Sequence, residues 1–132
     1  MREILFRGKR KDNGEWVEGF LLGGTFYFDD RKMVTIVPTD NVFCSRCEIL
    51  SWEEVYPETV GQFTGLLDWD GRKIFEGDIV RCCGEIRSVI YDEKFAEFEL
   101  SGSDGLSLCC DSQLCKIIGN IYDDPEMMEG VK

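Results

Sequence analysis

The sequence predicts an all-β protein: a small SH3-like barrel or β-sandwich of antiparallel strands with a short C-terminal helix. Runs of apolar, β-branched and aromatic residues recur at intervals of about 8–12 residues, the spacing typical of barrels and sandwiches. No window of about eleven residues or more keeps the apolar spacing of an amphipathic helix. A composition with 43% hydrophobic and 12% aromatic residues is enough for a packed core.

One domain over residues 1–132 is expected, because a chain of this length falls within the usual size of a single domain. Within it we predict an irregular β half over 1–58 and a regular, barrel-like half over 59–122. A tail helix is predicted over 123–132, because Asp123 or Asp124 can cap it and Pro125 suits its first turn.

Turn-forming residues divide the first half into short strands. Asn13-Gly14 is the pair preferred in two-residue type I′ hairpin loops. Gly23-Gly24 is expected to break the next strand, and Ser51-Trp-Glu-Glu54 has the spacing of a helical capping box. Pro57 limits that helix to one or two turns. The predicted strands are Glu3–Arg7, Trp16–Leu22, Thr25–Phe28 and Met33–Val37.

The stretch Gln62–Arg81 carries the densest turn signals. Asp68-Trp-Asp-Gly71 predicts a turn, because Asp bonds its own main chain and Gly adopts positive φ without strain. A calcium loop is excluded, because its twelfth position would be Ile79 instead of Glu. Glu76-Gly-Asp78 predicts a second turn that leads into a strand.

This central block resembles the signature of the YopX family, small proteins encoded by phages and prophages. The resemblance lies in the spaced pattern Thr-Gly-Leu, Asp, Gly, Ile, Glu-Gly-Asp-Ile-Val within Thr64–Val80. The opening Met1–Arg7 and the tail Ile118–Met128 also resemble the family. The resemblance implies a phage or prophage origin, and the family supplies no established chemistry.

Further strands are predicted after this stretch. Gly84 either bends one long strand or separates two. The alternation in Ala96–Leu100 places Phe98 and Leu100 in the core. The predicted strands are Ile79–Cys83, Glu85–Tyr91, Ala96–Leu100, Leu106–Cys110 and Lys116–Tyr122.

The charge balance disfavours nucleic acid as a partner. The net charge is −11, and binding to phosphates requires basic side chains. A local basic cluster, Arg7, Lys9, Arg10 and Lys11, is interpreted as a solvated hairpin end, with a phosphate-contact patch as the alternative. A further alternative is that the acidic second half imitates DNA toward a DNA-binding protein.

Seven cysteines raise the question of metal or redox chemistry. Cys44-Ser-Arg-Cys47 has the spacing of half a zinc site, so Cys44 and Cys47 are the metal candidates. No histidine is present, and adjacent cysteines elsewhere point to opposite faces of a strand. Structural thiols are therefore the favoured interpretation, and no cofactor is expected.

Catalysis is disfavoured by the residue types present in the chain. The lack of histidine excludes a classical serine triad. Glu76 and Asp78 could act as paired carboxylates if they share a pocket, although Gly77 indicates a turn. A carboxylate-dependent enzyme is kept as an alternative function.

Trp69 lies at a turn tip, where its indole either packs onto its own hairpin or contacts a partner. The leading hypothesis is a non-catalytic accessory protein that forms a homo-oligomer and contacts a host or phage protein.

No apolar run reaches about 18 residues, so no membrane span is expected. With no signal-peptide pattern at the start, we expect a cytoplasmic location in the host cell.

Overall fold

The computed structural model describes residues 3–28, 31–39, 42–43, 48–49, 52–82, 84–101 and 114–129. The chain divides into two compact units, Met1–Gln62 and Phe63–Lys132. Every strand pairing among the described residues is antiparallel, which confirms the all-β prediction. No helix in these ranges is both long enough and apolar enough to cross a membrane.

Strands make up most of the described residues. In chain order they are β1 Phe6–Lys9, β2 Trp16–Phe28, β3 Arg31–Pro38, β4 Val42–Phe43, β5 Glu48–Ile49, β6 Glu53–Glu54, β7 Gly61–Leu67, β8 Lys73–Phe75, β9 Asp78–Cys82, β10 Glu85–Asp92, β11 Glu97–Leu100 and β12 Cys115–Asn120. Among the described residues, short 3-10 helices cover Pro57–Thr59 and Pro125–Met128.

In the first unit, neighbouring strands follow the order β6-β3-β2-β1-β7. β1 joins β7 where Arg7 lies opposite Gly61. Alternate residues of these strands face a small apolar core, since side chains on a strand alternate between faces. That core contains Val34, Ile36 and Val55, with Phe6, Val17, Leu21 and Val60 packed against it.

The connection between β1 and β2 differs from the predicted hairpin loop. It spans residues 10–15, and the Gly14 N–H donates to the Arg10 carbonyl at 2.9 Å. A type I′ turn requires positive φ at both central residues, whereas in this loop only Gly14 has it (φ 73°). The prediction of a two-residue loop is therefore wrong. The Asn13 side chain instead accepts the Glu15 N–H at 2.9 Å.

The predicted break at Gly23-Gly24 is also wrong. β2 runs continuously from Trp16 to Phe28 and pairs with β3 on both sides of the glycines. The register shifts between Leu22 and Phe26, so an irregularity in the ladder accommodates the glycines without ending the strand.

The short helix predicted at Ser51–Glu54 is replaced by strand β6, and Ser51 itself lies outside the described residues. β6 pairs with β3 through Glu53 and Glu54. On the opposite side, the Lys11 N–H donates to the Glu54 carbonyl at 3.0 Å, and the Tyr56 N–H donates to the Lys9 carbonyl at 2.9 Å. These long-range hydrogen bonds outweigh the local capping pattern.

In the second unit, β9, β10 and β11 form a meander, and β12 returns to pair with β9, in the order β11-β10-β9-β12. Gly84 separates two strands: Cys82 lies opposite Glu85, and Gly84 has a φ of 80°. Within the described ranges, β11 and β12 are the edge strands of this sheet and do not pair with each other, so the sheet is not a closed barrel. The core consists of Ile74, Val80, Cys82, Val89, Leu100 and Cys115, with Leu66, Phe98 and Ile117 against it.

Strand β11 confirms the alternation predicted from the sequence, since Leu100 is buried and Phe98 packs against the core. Glu99 lies on the other face, half-buried. Burial raises the pKa of the Glu99 carboxyl, and the neighbouring acids Asp92 and Glu97 raise it further.

The predicted terminal helix is reduced to the 3-10 helix Pro125–Met128. Asp124 does not cap it with its side chain and instead accepts the Asn120 N–H at 3.3 Å. The predicted strand Leu106–Cys110 and residues 130–132 lie outside the described residues.

Two buried threonines in the first unit provide a matched test of its packing. Among the described residues, the Thr35 hydroxyl has no hydrogen-bond partner, although the residue is fully buried. The Thr59 hydroxyl accepts the Lys9 N–H at 2.9 Å and donates to the Tyr56 carbonyl at 2.6 Å.

We expect Thr35→Val to raise the free energy of unfolding by about 1 kcal/mol, because it removes an unsatisfied buried hydroxyl. Thr59→Val should lower it by about 1–3 kcal/mol, because the Lys9 N–H loses its acceptor. Urea unfolding followed by tryptophan fluorescence measures both. An equal loss of stability in the two variants would contradict this assignment.

Candidate functional site

The turn between β7 and β8, residues Asp68–Arg72, is called the Trp69 turn from here on. The Asp68 N–H donates to the Arg72 carbonyl at 2.9 Å, and the Gly71 N–H donates to the Asp68 carbonyl at 3.0 Å. Gly71 has a φ of 79°, a conformation that glycine adopts without strain. The turn predicted from the sequence is therefore present, and glycine occupies the position that requires it.

The Asp68 carboxylate organises this turn from inside. Asp68 is only 4% exposed. One carboxylate oxygen accepts the N–H groups of Asp70 and Arg72, both at 2.9 Å. The other accepts the Ile117 N–H of β12 at 3.1 Å and lies 3.3 Å from the Arg72 guanidinium. One side chain therefore satisfies three main-chain donors.

Burial alone would raise the pKa of Asp68, because a low-dielectric environment disfavours the charged form. The N–H groups of Ile117, Arg72 and Asp70, together with the positive charge of Arg72, outweigh burial and lower the pKa below 3.8. Asp68 is therefore a stably ionised acceptor, and this environment is the opposite of one that prepares a carboxyl as a general acid.

The same turn covers the edge of β12. The Trp69 N–H donates to the Cys115 carbonyl at 2.8 Å. The Arg72 guanidinium donates to the Ile117 carbonyl at 2.6 Å, and Asp68 accepts the N–H of that residue. The Trp69 turn thus takes the place of a neighbouring strand along this edge, which would otherwise present unpaired main-chain groups.

The Trp69 indole takes no part in these bonds and is 72% exposed. Leu67, two residues earlier, is 48% exposed. Leu114, which precedes the residue that accepts the Trp69 N–H, is 56% exposed. The hairpin end therefore presents two exposed apolar side chains, and Leu114 adds a third at the start of β12. All five main-chain N–H groups of the Trp69 turn are hydrogen-bonded.

The second acidic turn, Glu76-Gly-Asp78, is also structural in its contacts. The Asp78 side chain is buried and accepts the Phe75 N–H at 2.7 Å. Gly77 has a φ of 94°, and its N–H donates to the Val89 carbonyl at 2.9 Å. Glu76 is half-buried beside it. The two carboxylates of the catalytic hypothesis therefore lie on one tight turn, with Asp78 directed at the main chain.

In the first unit, two residues of the basic cluster, Arg10 and Lys11, are paired with acidic neighbours. Arg10 forms two hydrogen bonds with Asp12, at 3.0 and 2.7 Å, and an ion pair with Glu53 at 3.1 Å. Lys11 pairs with Glu54 at 2.8 Å. A surface depression is lined by Lys11, Asp12, Glu53 and Glu54. Glu53 and Glu54 lie more than forty residues from Arg10 in the chain, so no local pattern predicts these ion pairs.

The other two basic residues of the cluster lie against an aromatic ring. The Arg7 guanidinium is 4.9 Å from the centre of the Trp16 ring, and the Lys9 amine is 5.8 Å from it. Both distances lie within the range of cation–π attraction. The four basic residues therefore do not form a patch of positive charge directed only at solvent.

The metal candidates Cys44 and Cys47 lie outside the described residues. Within the part of the chain that is described, no three Cys, Asp or Glu side chains are grouped as a metal site.

Taken together, the fold is that of a small antiparallel β-protein whose central acidic residues bind main chain. Residues 5–129 match the model of the YopX protein family, and the chain belongs to the YopX family.

A solved structure supports the fold. The chain is similar to the crystal structure of protein EF1440 from Enterococcus faecalis, with a TM-score of 0.65 and 23% sequence identity. The similarity covers 98% of this chain and 100% of the other. No curated protein matches the chain.

We expect Asp68→Asn to lower the free energy of unfolding by about 2–4 kcal/mol near neutral pH, because it removes a charged acceptor of three N–H groups. Asp70→Asn is the matched control. It retains the turn and loses only ion pairs of 3.8 and 4.0 Å, so its effect should stay within about 0.5 kcal/mol. Urea unfolding measures both.

The pH dependence of this difference follows from the pKa of Asp68. Because the folded-state pKa is lowered from 3.8, the stabilisation is present above that value and is lost as the pH falls through the folded-state pKa. The gap between the wild type and Asp68→Asn should therefore narrow in acid. A gap independent of pH would contradict the role of the ionised carboxylate.

Proposed function

We propose that this YopX-family chain is a phage- or prophage-encoded accessory protein of the host cytoplasm. It performs no catalysis, contacts other proteins and associates with itself. The observation that carries the proposal is the exposed indole of Trp69 on a turn that the main chain holds closed. Tryptophan is enriched among the residues that dominate binding energy at protein interfaces.

The contacts of the acidic residues support a non-catalytic role. Asp68 and Asp78 accept main-chain N–H groups, and the pKa of Asp68 is lowered. A catalytic acid or base usually has a pKa moved toward the working pH. The described geometry therefore favours structural carboxylates over the alternative of a carboxylate-dependent enzyme.

The contacts of the basic cluster favour protein over nucleic acid as the partner. Arg10 and Lys11 have carboxylate neighbours in Asp12, Glu53 and Glu54. These five residues together have a net charge of −1. With Arg7 and Lys9, which lie against Trp16, the sum is +1, and a nearly neutral surface attracts phosphate only weakly.

We also propose an SH3-like arrangement for the second unit. Its support is the β9-β10-β11 meander with β12 returning to β9. In SH3-like barrels the last strand likewise returns to the first strand of a meander. Because such barrels carry many functions, this part of the proposal adds no chemistry.

Self-association is tested by sedimentation velocity over a range of protein concentrations. We expect the wild type to form a dimer or larger oligomer that Trp69→Ala weakens about 30-fold, the loss of a hot-spot residue worth about 2 kcal/mol. The turn should persist, because its main-chain N–H, and not the indole, binds Cys115. Phe95→Ala removes a comparably exposed aromatic side chain as the control and should leave association unchanged.

A wild type that stays monomeric throughout would contradict self-association. A pull-down from host lysate then tests contact with another protein. One stoichiometric partner retained by the wild type and by Phe95→Ala, but lost by Trp69→Ala, would support contact through the same turn. Equal retention by all three would exclude Trp69 as the contact.

Binding to nucleic acid is tested with a labelled DNA duplex at low salt. We expect no change in fluorescence anisotropy, because Arg10 and Lys11 already have acidic partners and Arg7 and Lys9 lie against the Trp16 ring. Binding that weakens steeply with salt and disappears in the Arg10→Ala, Lys11→Ala double variant would overturn this expectation.

A further inference from the structure

Two buried cysteines face each other across adjacent strands of the second unit. Cys115, the first residue of β12, lies directly opposite Cys82, the last residue of β9. Both are thiols, 0% and 4% exposed, and both belong to the same core cluster. Their side chains therefore lie on the same face of the sheet.

The bonds along β12 define the geometry of this pair. In an antiparallel strand, the main-chain groups of alternate residues point to the same side. The Cys115 carbonyl accepts the Trp69 N–H, and both main-chain groups of Ile117 are bonded to the Trp69 turn. The main-chain groups of Cys115 therefore point away from β9, and its pairing with Cys82 is a non-hydrogen-bonded one.

The hairpin between β9 and β10 independently indicates that the Cys82–Cys115 pairing is a non-hydrogen-bonded one. Two residues connect the strands, and Cys82 lies opposite Glu85 at the closing position. The closing residues of a two-residue hairpin exchange main-chain hydrogen bonds. The main-chain groups of Cys82 therefore point to β10 and not to β12.

A non-hydrogen-bonded pair brings the two side chains closest together. Its Cα atoms are about 4.5 Å apart, and a disulfide requires a Cα separation of about 4.4–6.8 Å. We infer that Cys82 and Cys115 form a redox modification site, a dithiol that a small-molecule disulfide such as oxidised glutathione converts into a cross-strand disulfide. The inference does not depend on the interaction role proposed for Trp69.

The chemistry is thiol–disulfide exchange in two steps. One cysteine thiolate attacks the glutathione disulfide, forms a mixed disulfide and releases one glutathione thiolate. The second cysteine thiolate attacks the protein sulfur of that mixed disulfide and releases the second glutathione. The two cysteines lose two protons to solvent and two electrons to glutathione disulfide, which becomes two thiols.

Access to this pair depends on the Trp69 turn. Because both thiols are buried, the oxidant reaches them only when the end of β12 separates from the core. The turn opposes that opening through its bonds to Cys115 and Ile117. Asp68→Asn, which weakens this clamp, should therefore accelerate oxidation about tenfold or more, and Asp70→Asn should not.

The decisive experiment uses a variant in which Cys44, Cys47, Cys83, Cys109 and Cys110 are replaced by serine. After native incubation with oxidised glutathione and quenching with an alkylating agent, we expect intact protein that has lost about 2 Da and takes up no alkyl group. Adding Cys115→Ser provides the control, which should form only the mixed disulfide with glutathione. Persistence of two alkylated cysteines, or cross-linking only between copies, would overturn the inference.

The wild type provides a second measurement that does not depend on that variant folding. Oxidised wild type is digested without reduction and the bridged peptides are fragmented. A Cys82–Cys115 bridge supports the inference, and bridges that omit this pair contradict it. The oxidised protein should also have a higher urea midpoint than the reduced protein, since the bridge joins residues already opposite in the fold; a lower midpoint would contradict the geometry.

Discussion

The carboxylate of Asp68 is the interaction on which the second unit most depends. It closes the Trp69 turn through Asp70 and Arg72 and binds the Ile117 N–H on β12. A strand at the edge of a sheet needs its main-chain groups covered or paired. One buried aspartate, with the main chain and guanidinium beside it, meets that need without an additional strand. Its ionised state is maintained by the donors that it satisfies.

This arrangement separates the roles of main chain and side chain at Trp69. The N–H holds the edge of β12, and the indole remains exposed. An aromatic side chain on a rigid main chain loses little conformational freedom on binding, which is a favourable property for a contact residue. The same clamp lies over Cys115, so the exposed turn and the buried dithiol depend on one set of hydrogen bonds.

The acidic turns of the second unit and the basic cluster of the first unit are both bound by groups within the fold. Asp68 and Asp78 both appear in the sequence as acids that could form a site, and both bind main-chain N–H groups in the fold. The basic cluster of the first unit has Glu53 and Glu54 opposite it, because β6 pairs beside the end of β1. Similarity to EF1440 at 23% identity extends to the fold alone.

The sequence by itself determined the features that depend on local chemistry. Strand content follows from the apolar alternation, and the turns at Asp68–Gly71 and Glu76–Asp78 follow from residues that tolerate positive φ. Tertiary structure alone decided the features that depend on distant partners. β2 continues through Gly23-Gly24 because β3 pairs with it, and Glu53–Glu54 become a strand because β3 supplies a ladder. The register that places Cys82 opposite Cys115 arises between residues far apart in the chain, where no local pattern can specify it.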